Sequence, residues 1–229
     1  MDWRENAKRM AAINAVKHVK DGFIVGLGSG TTVAHAFEEL GKRIRKEKLH
    51  IYGVPTSHQA FLLAVQQNIP LTTLDEHPQL DITIDGADQV DKELNMIKGM
   101  GGALTREKIV ASASKMNIIV IDETKLTETL GVNQPVPIEI LPFALSPVTK
   151  RLRELGSKPV LREAKKKLGP VVTDNGNFIL DVNFGPIETP RELNQTLKSI
   201  PGIVETGLFL GLAKIVYVGG REAVRKLER

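Results

Sequence analysis

The sequence predicts an α/β protein: a parallel-sheet domain carrying a smaller α+β domain. Three observations predict it. Short apolar runs alternate with amphipathic stretches over roughly the first half of the chain, the order that builds a parallel sheet covered by helices on both faces. Prolines then cluster at positions 135, 137, 142 and 147, which marks a boundary or hinge. From Gly131 onward the order strand, helix, strand, strand, helix, strand is that of a split βαβ unit. Residues 1–130 with 207–229 are assigned to the sheet domain, and 131–206 to the small one.

Each element has its own warrant. Residues 2–20 read as a helix, because Ala7, Ala11, Ala15 and Val19 recur at i,i+4 with charges opposite. Phe23-Ile-Val-Gly-Leu-Gly28 is a buried strand, Thr31 to Lys46 a helix, and His50 to Val54 a second strand. Ser57 to Asn68 is a crossover helix, followed by a short strand at Leu71–Leu74. Asp81 to Ile84 is a strand, Ala103 to Ser114 a helix, and Asn117 to Ile121 a wholly apolar strand. In the small domain the strands are 136–140, 159–162, 177–182 and 204–209, with helices at 146–155 and 190–199. Asp174-Asn-Gly-Asn177 is a hairpin turn signal. Lys214 to Val218 is a last apolar strand that returns to the first sheet.

Composition narrows the function classes. The 229 residues are 41% hydrophobic but only 4% aromatic, so Val, Ile, Leu and Ala fill the core. There is no cysteine, which removes disulfides and thiolate metal sites and suits a reducing compartment. The charged N-terminus has no apolar signal segment, and no run approaches a membrane span, so the cytoplasm is the expected location. The five histidines show no metal spacing, and no metal is expected. The net charge of +4 is spread thinly. Lys165-Lys-Lys167 reads as solvated surface, and no basic stripe with aromatics points to nucleic acid. A positive balance mildly assists capture of an anionic substrate.

The chemistry lies at the ends of the strands. Gly26-Leu-Gly-Ser29-Gly30-Thr31-Thr32 follows a buried strand and opens a helix, so free N–H groups, a positive dipole end and three hydroxyls face one point. A tight structural turn is the alternative. A dinucleotide site would carry an acid about 20 residues on, at the end of the second strand, and that strand ends instead in Thr56-Ser57. Asp85-Gly86-Ala87-Asp88 follows another strand, where α/β sheets build sites, although turn and cap roles suit Asp equally. Lys98 precedes Gly99-Met100-Gly101-Gly102, and Glu107 lies on the next helix, where an exposed ion pair is the plain reading. Lys125 follows the next strand at the same sheet edge and is a phosphate candidate. Lys8 is a weaker one, read as a surface lysine. Each residue has a bland explanation alone. Together they suit a site that binds a phosphorylated sugar and moves a proton.

Six segments carry a resemblance: Gly28 to Thr32, Asp85 to Asp88, Lys98 to Lys108, Asp122 to Lys125, Val172 to Asn177 and Pro201 to Phe209. In this order, over nearly the whole chain, the sequence resembles the A-type ribose-5-phosphate isomerases. The resemblance implies a Rossmann-like domain carrying a ferredoxin-like one, a homodimer or homotetramer, and no required cofactor. It implies Glu107 as general base, Asp85 and Asp88 as carboxylates lining the sugar with Asp85 linked to ring opening, and Lys98 beside the reacting oxygens. Ser29 to Thr32 and Lys125 match substrate contacts. Met100 stands where the family usually has glycine, and the apolar Leu210-Gly-Leu-Ala213 lacks polar residues often found there. Rival readings are a hexosamine-phosphate enzyme, which wants a histidine relay, and a non-catalytic sugar-phosphate sensor, which has no need of Glu107 and Lys98. A nucleotide-dependent oxidoreductase or methyltransferase wants the missing acid.

Overall fold

The computed structural model describes residues 2–229. Its first elements are α1 (Trp3–Val16), β1 (Ile24–Leu27), α2 (Thr31–Glu47), β2 (Tyr52–Pro55), α3 (His58–Gln66) and β3 (Ile82–Asp85). Then come β4 (Gln89–Val90), β5 (Met96–Ile97), α4 (Leu104–Ser112), β6 (Asn117–Asp122) and β7 (Val136–Ile140). The chain continues through α5 (Leu145–Glu154), β8 (Lys158–Leu161), β9 (Phe178–Asn183) and α6 (Pro190–Lys198). It ends with β10 (Ile203–Thr206), β11 (Leu208–Phe209), β12 (Ile215–Gly219) and β13 (Val224–Glu228). Two compact units result. The first comprises Met1–Ala87, Arg106–Lys125 and Gly211–Arg229, and the second Asp88–Thr105 and Leu126–Leu210.

The first unit is built on a six-stranded sheet in the order β13-β12-β6-β3-β1-β2. All pairings are parallel except the antiparallel edge pair β12–β13. The parallel part is doubly wound, with its order reversing at the adjacent strands β1 and β3. Alternation along the strands sorts the two faces. Val25, Leu27, Ile82, Ile84, Ile118, Val120 and Ile215 pack with α1, α2 and α3. Val110 of α4 packs with Val54 and Leu80 in a separate cluster. Gly26 is required in β1, since a Cβ there would lie 2.2 Å from Thr83 Oγ1 and 2.6 Å from Val110 Cγ1.

The second unit holds the split βαβ unit. Its sheet runs β10-β7-β9-β8, with every pairing antiparallel. Ile138 and Ile140 of β7 pack one face against Val148 and Leu152 of α5 and Leu197 of α6. A three-stranded sheet, β11-β5-β4, lies in the same unit.

Several expectations need correction. The first helix ends at Val16 because Arg43 Nη1 donates to the carbonyls of Val16 and Val19, at 2.8 Å each, and so satisfies the groups freed by leaving the helix. Leu71–Leu74 forms no strand. Leu71 makes one bridge to Gly53, and Thr72 and Thr73 then turn to Glu76 through their hydroxyls. The expected strand 204–209 breaks at Gly207 into β10 and β11, where a Cβ would sit 2.4 Å from Lys98 O. Strands β4, β5 and β13 were not expected. No helix among the described residues is long and apolar enough to cross a membrane.

Candidate active site

The crevice outside the carboxyl ends of β1 and β3 is the topological switch point of the first sheet, where open α/β folds bind ligands. The Gly28–Thr32 loop leaves β1 here and enters α2. Gly30 has φ +110°, and its side-chain-free position makes no capping bond, so the first N–H groups of a 17-residue helix remain for an anion. Gly28 N donates to Ile84 O at 3.0 Å, which ties the loop to β3.

Asp85, the last residue of β3, is only 2% exposed. Its Oδ1 accepts from the backbone of Gly86 at 2.7 Å and of Ser29 at 3.2 Å. The carboxylate and the anion-type loop are therefore one hydrogen-bonded structure. The geometry leaves no room for a side chain at Gly28, whose Cβ would meet Asp85 Oδ1 at 2.2 Å.

Three residues here were not anticipated. Ser29 Oγ bonds Thr56 Oγ1 at 2.9 Å and Ser57 Oγ at 2.6 Å, while Gly30 N donates to Gln59 Oε1 at 3.0 Å. Thr56 in turn donates to Leu27 O at 3.0 Å. Hydroxyls thus occupy the end of β2, where a dinucleotide site would place its ribose acid. Thr56-Ser57 was visible in the sequence as a strand end that also caps a helix, since Ser57 Oγ accepts from Ala60 N, and that double duty hid its link to Ser29.

The remaining candidates divide between the units. The first unit also holds Glu107, on the first turn of α4 and 5% exposed, and Lys125, in a single 3₁₀ turn after β6. That turn is fixed by Asp122, whose Oδ1 accepts from the Thr124 backbone and hydroxyl. Lys8 pairs with Glu5 at 2.8 Å. That contact holds the Glu5 carboxyl below its ordinary value, first through the Lys8 hydrogen bond against the opposing effect of burial. The second unit holds Asp88 and the Lys98–Gly102 turn. Asp88 Oδ2 accepts from Met100 N at 3.0 Å, and Gly102 N donates to Gly99 O at 3.0 Å. Lys98 is 3% exposed, its Nζ 5.4 Å from the centre of the Phe209 ring. Arg162, which the sequence gave no reason to single out, pins the turn: Nη1 donates to Gly99 O at 2.9 Å and Met100 O at 3.0 Å, and the guanidinium also forms a fork with Asp181. Met100 Sδ lies 3.8 Å from Arg162 Nη2, so the methionine is absorbed by this contact. Among the described residues no group of three or more His, Asp or Glu side chains is placed to hold a metal ion.

A doubly wound sheet with an anion loop and a buried carboxylate at its switch point, and hydroxyls in place of a ribose acid, defines an α/β enzyme for a small phosphorylated substrate. The family model of ribose 5-phosphate isomerase A (phosphoriboisomerase A) matches residues 52–223. The chain is 52% identical over 220 residues to the ribose-5-phosphate isomerase A of Methanosarcina acetivorans, covering 96% of this chain and 93% of that one. It is 48% identical to the enzyme of that name from Thermococcus kodakarensis, covering 98% and 99%. Ribose 5-phosphate isomerase A of Methanocaldococcus jannaschii matches in structure with a TM-score of 0.95 at 44% identity, over 98% of this chain and 99% of that one. A D-ribose-5-phosphate isomerase in complex with phospho-erythronic acid matches with a TM-score of 0.96, also at 44% identity, over 99% of both chains. The chain belongs to the ribose 5-phosphate isomerase A family, which comprises aldose–ketose isomerases.

Proposed function

We propose that this chain interconverts ribose 5-phosphate and ribulose 5-phosphate through an enediolate, in the non-oxidative branch of the pentose phosphate pathway. The observation that carries the reading is the bonded pair of Asp85 and the Ser29 loop at the β1/β3 switch point, in a member of this family.

The roles follow from the chemistry. The aldose is mostly a closed ring, so a proton must leave the anomeric hydroxyl and another must reach the ring oxygen. Asp85 and Asp88 serve this step. Glu107 then removes the proton from C2. The C–H electron pair becomes the C1=C2 double bond, and the carbonyl electrons pass to O1. Transfer of the O2 proton to O1 and return of the abstracted proton to C1, as the C1=C2 pair takes that proton and an O2 pair forms C2=O2, give the ketose. No electron leaves the substrate, so the balance calls for no redox cofactor. Such a base contributes roughly 10²–10⁴ in rate. Lys98 and the N–H groups of the Gly99–Gly102 turn serve the oxyanions, where one donor is worth about 3–4 kcal/mol. The loop Ser29–Thr32, with Lys125, holds the phosphate, and this remote binding fixes orientation.

The protein acts as a homodimer or homotetramer in the cytoplasm in this reading. Self-association is supported by exposed apolar residues of the first unit, among them Tyr52, Phe61, Leu62 and Ile109. Sedimentation of a monomer at micromolar concentration contradicts it. The central test is ketose formation from ribose 5-phosphate with EDTA present, for the wild type and Glu107→Gln. Turnover is expected in the wild type and a collapse of kcat in the variant, with phosphate-ester binding retained. An unchanged kcat in the variant removes Glu107 as base.

A further inference from the structure

Glu139 has no part in this mechanism, yet it is the most completely enclosed carboxylate of the small sheet, at 0% exposure. It is the next-to-last residue of β7, between Ile138 and Ile140. Those two side chains enter the core under α5 and α6, so by strand alternation Glu139 projects from the opposite face. That face carries no helix of the split βαβ unit. The carboxylate is covered instead by four donors. Thr105 Oγ1 donates to Oε2 at 2.7 Å. Oε1 accepts from Thr173 Oγ1 at 2.9 Å, Asn175 Nδ2 at 3.0 Å and Asn177 Nδ2 at 2.8 Å. Thr173 Oγ1 also accepts from the backbone of Asn177 at 3.1 Å, so the 173–177 turn is folded around the acid.

A buried carboxylate without full pairing is costly, and one that is fully paired rigidifies whatever supplies its donors. Three of the donors come from one turn. The fourth comes from Thr105, the second residue of α4, the helix that carries Glu107. Residues two apart on a helix point to roughly opposite sides. The Thr105 bond therefore anchors one side of the first turn of α4, the turn that also carries Glu107.

We infer that Glu139 is a positioning residue that acts through Thr105 to fix the first turn of α4, and with it the carboxylate of Glu107. This rests on the assignment of Glu107 as base. The Val172–Asn177 segment then has a function: it encloses the acid and holds it on Thr105.

The test compares Thr105→Val, which keeps the shape and removes the donor, with Thr105→Ser, which restores the donor. Each is assayed with ribose 5-phosphate and its 2-deuterio form, and Glu107→Gln is run beside them. Thr105→Val is expected to lower kcat by about 10- to 100-fold, since small misplacement of a reacting group has that effect. KM is expected to change little, and the deuterium effect on kcat to rise as proton removal becomes limiting. Thr105→Ser is expected to recover most of kcat. Equal kcat in all three Thr105 forms, with Glu107→Gln inactive, overturns the positioning role and leaves the base assignment standing. An equal loss in the Val and Ser variants also overturns it, because shape and not the hydrogen bond is then at stake. Full activity of Glu107→Gln overturns the base assignment, and this inference falls with it.

Discussion

Substituting Gly28 by alanine probes the loop–carboxylate structure more sharply than any change to a charged residue. The added Cβ would lie 2.2 Å from Asp85 Oδ1, 2.4 Å from its Cγ and 2.7 Å from its Cα, where ordinary contact begins at 3.4 Å. Rotating the Asp85 side chain relieves the first two overlaps and leaves the third, because Cα belongs to the β3 backbone. The strand end or the loop must move by several tenths of an ångström. Overpacking of this kind costs about 1–3 kcal/mol of stability, and the backbone contact places Gly28→Ala at the upper end. The same movement lengthens the 3.2 Å bond from Ser29 N to Asp85, so both the buried carboxylate and the Ser29–Thr32 loop are displaced. A fall of kcat/KM by about 100-fold is expected, with kcat and KM both affected. Initial rates of ketose formation, with thermal unfolding followed by circular dichroism, measure both quantities. A folded Gly28→Ala protein with kcat/KM within about twofold of wild type would show that the close approach at Gly28 has no bearing on catalysis, and the reasoning would be refuted.

Two further outcomes follow from the structure. Lys98→Met keeps an unbranched side chain of similar length and removes the charge that lies over the Phe209 ring. It should lower kcat by about 10²–10³ with a smaller effect on KM, and a rise in KM alone would make Lys98 a binding residue. Asp81 accepts from Lys115 Nζ at 2.8 Å and from the Ile24 backbone at 2.9 Å. Burial pushes its carboxyl up, but these hydrogen bonds and the Lys115 charge outweigh that and hold it below its ordinary 3.8. A depressed carboxylate stabilises the fold above its unfolded-state value, and the contribution is lost as pH falls through the folded-state value. Lys115 is more than half exposed, which screens the pair, so Asp81→Asn should cost only about 1 kcal/mol at pH 7. Denaturant titrations should show that gap closing as pH falls below 3.8, and a gap independent of pH would contradict the sign.

The sequence discloses what periodicity and strand-end chemistry can encode. The strand at Asn117 to Ile121 reads as one because Ile118 to Ile121 is an unbroken apolar run, and in the fold all six residues of β6 are enclosed. The loop at Gly28 reads as an anion site because strand, glycine and hydroxyl fall in order. What stayed hidden depends on partners distant along the chain. Strand β13 is mostly exposed along Val224–Glu228 and shows no apolar pattern, since it is held by its ladder to β12. The two-residue strands β4 and β5 are too short to carry any period. Arg43 ends α1 from 27 positions away, and Arg162 pins Gly99 from 63 positions away. Glu139, at a strand position whose neighbours are isoleucines, gives no sign in the sequence that four side-chain donors will enclose it.

The order of strands in the first sheet bears on how the chain comes into being. β6 pairs with β3 on one side and with β12 on the other, and β12 lies at Ile215–Gly219, near the C-terminal end of the sequence. A chain emerging from the ribosome must complete β7 through β11 before β12 exists. Throughout that interval Asn117-Ile-Ile-Val-Ile-Asp122 has one open edge, and its four consecutive β-branched residues, Ile118 to Ile121, are of the composition that recruits other strands. Pairing between elements so far apart in sequence is also slow. The charged β13, which follows β12 in sequence and pairs with it, gives the sheet an edge bearing Arg225 and Lys226 that resists such recruitment. The newly made protein is therefore exposed to aggregation through this edge until Ile215–Gly219 emerges, and the pairing of β12 with β6 closes it.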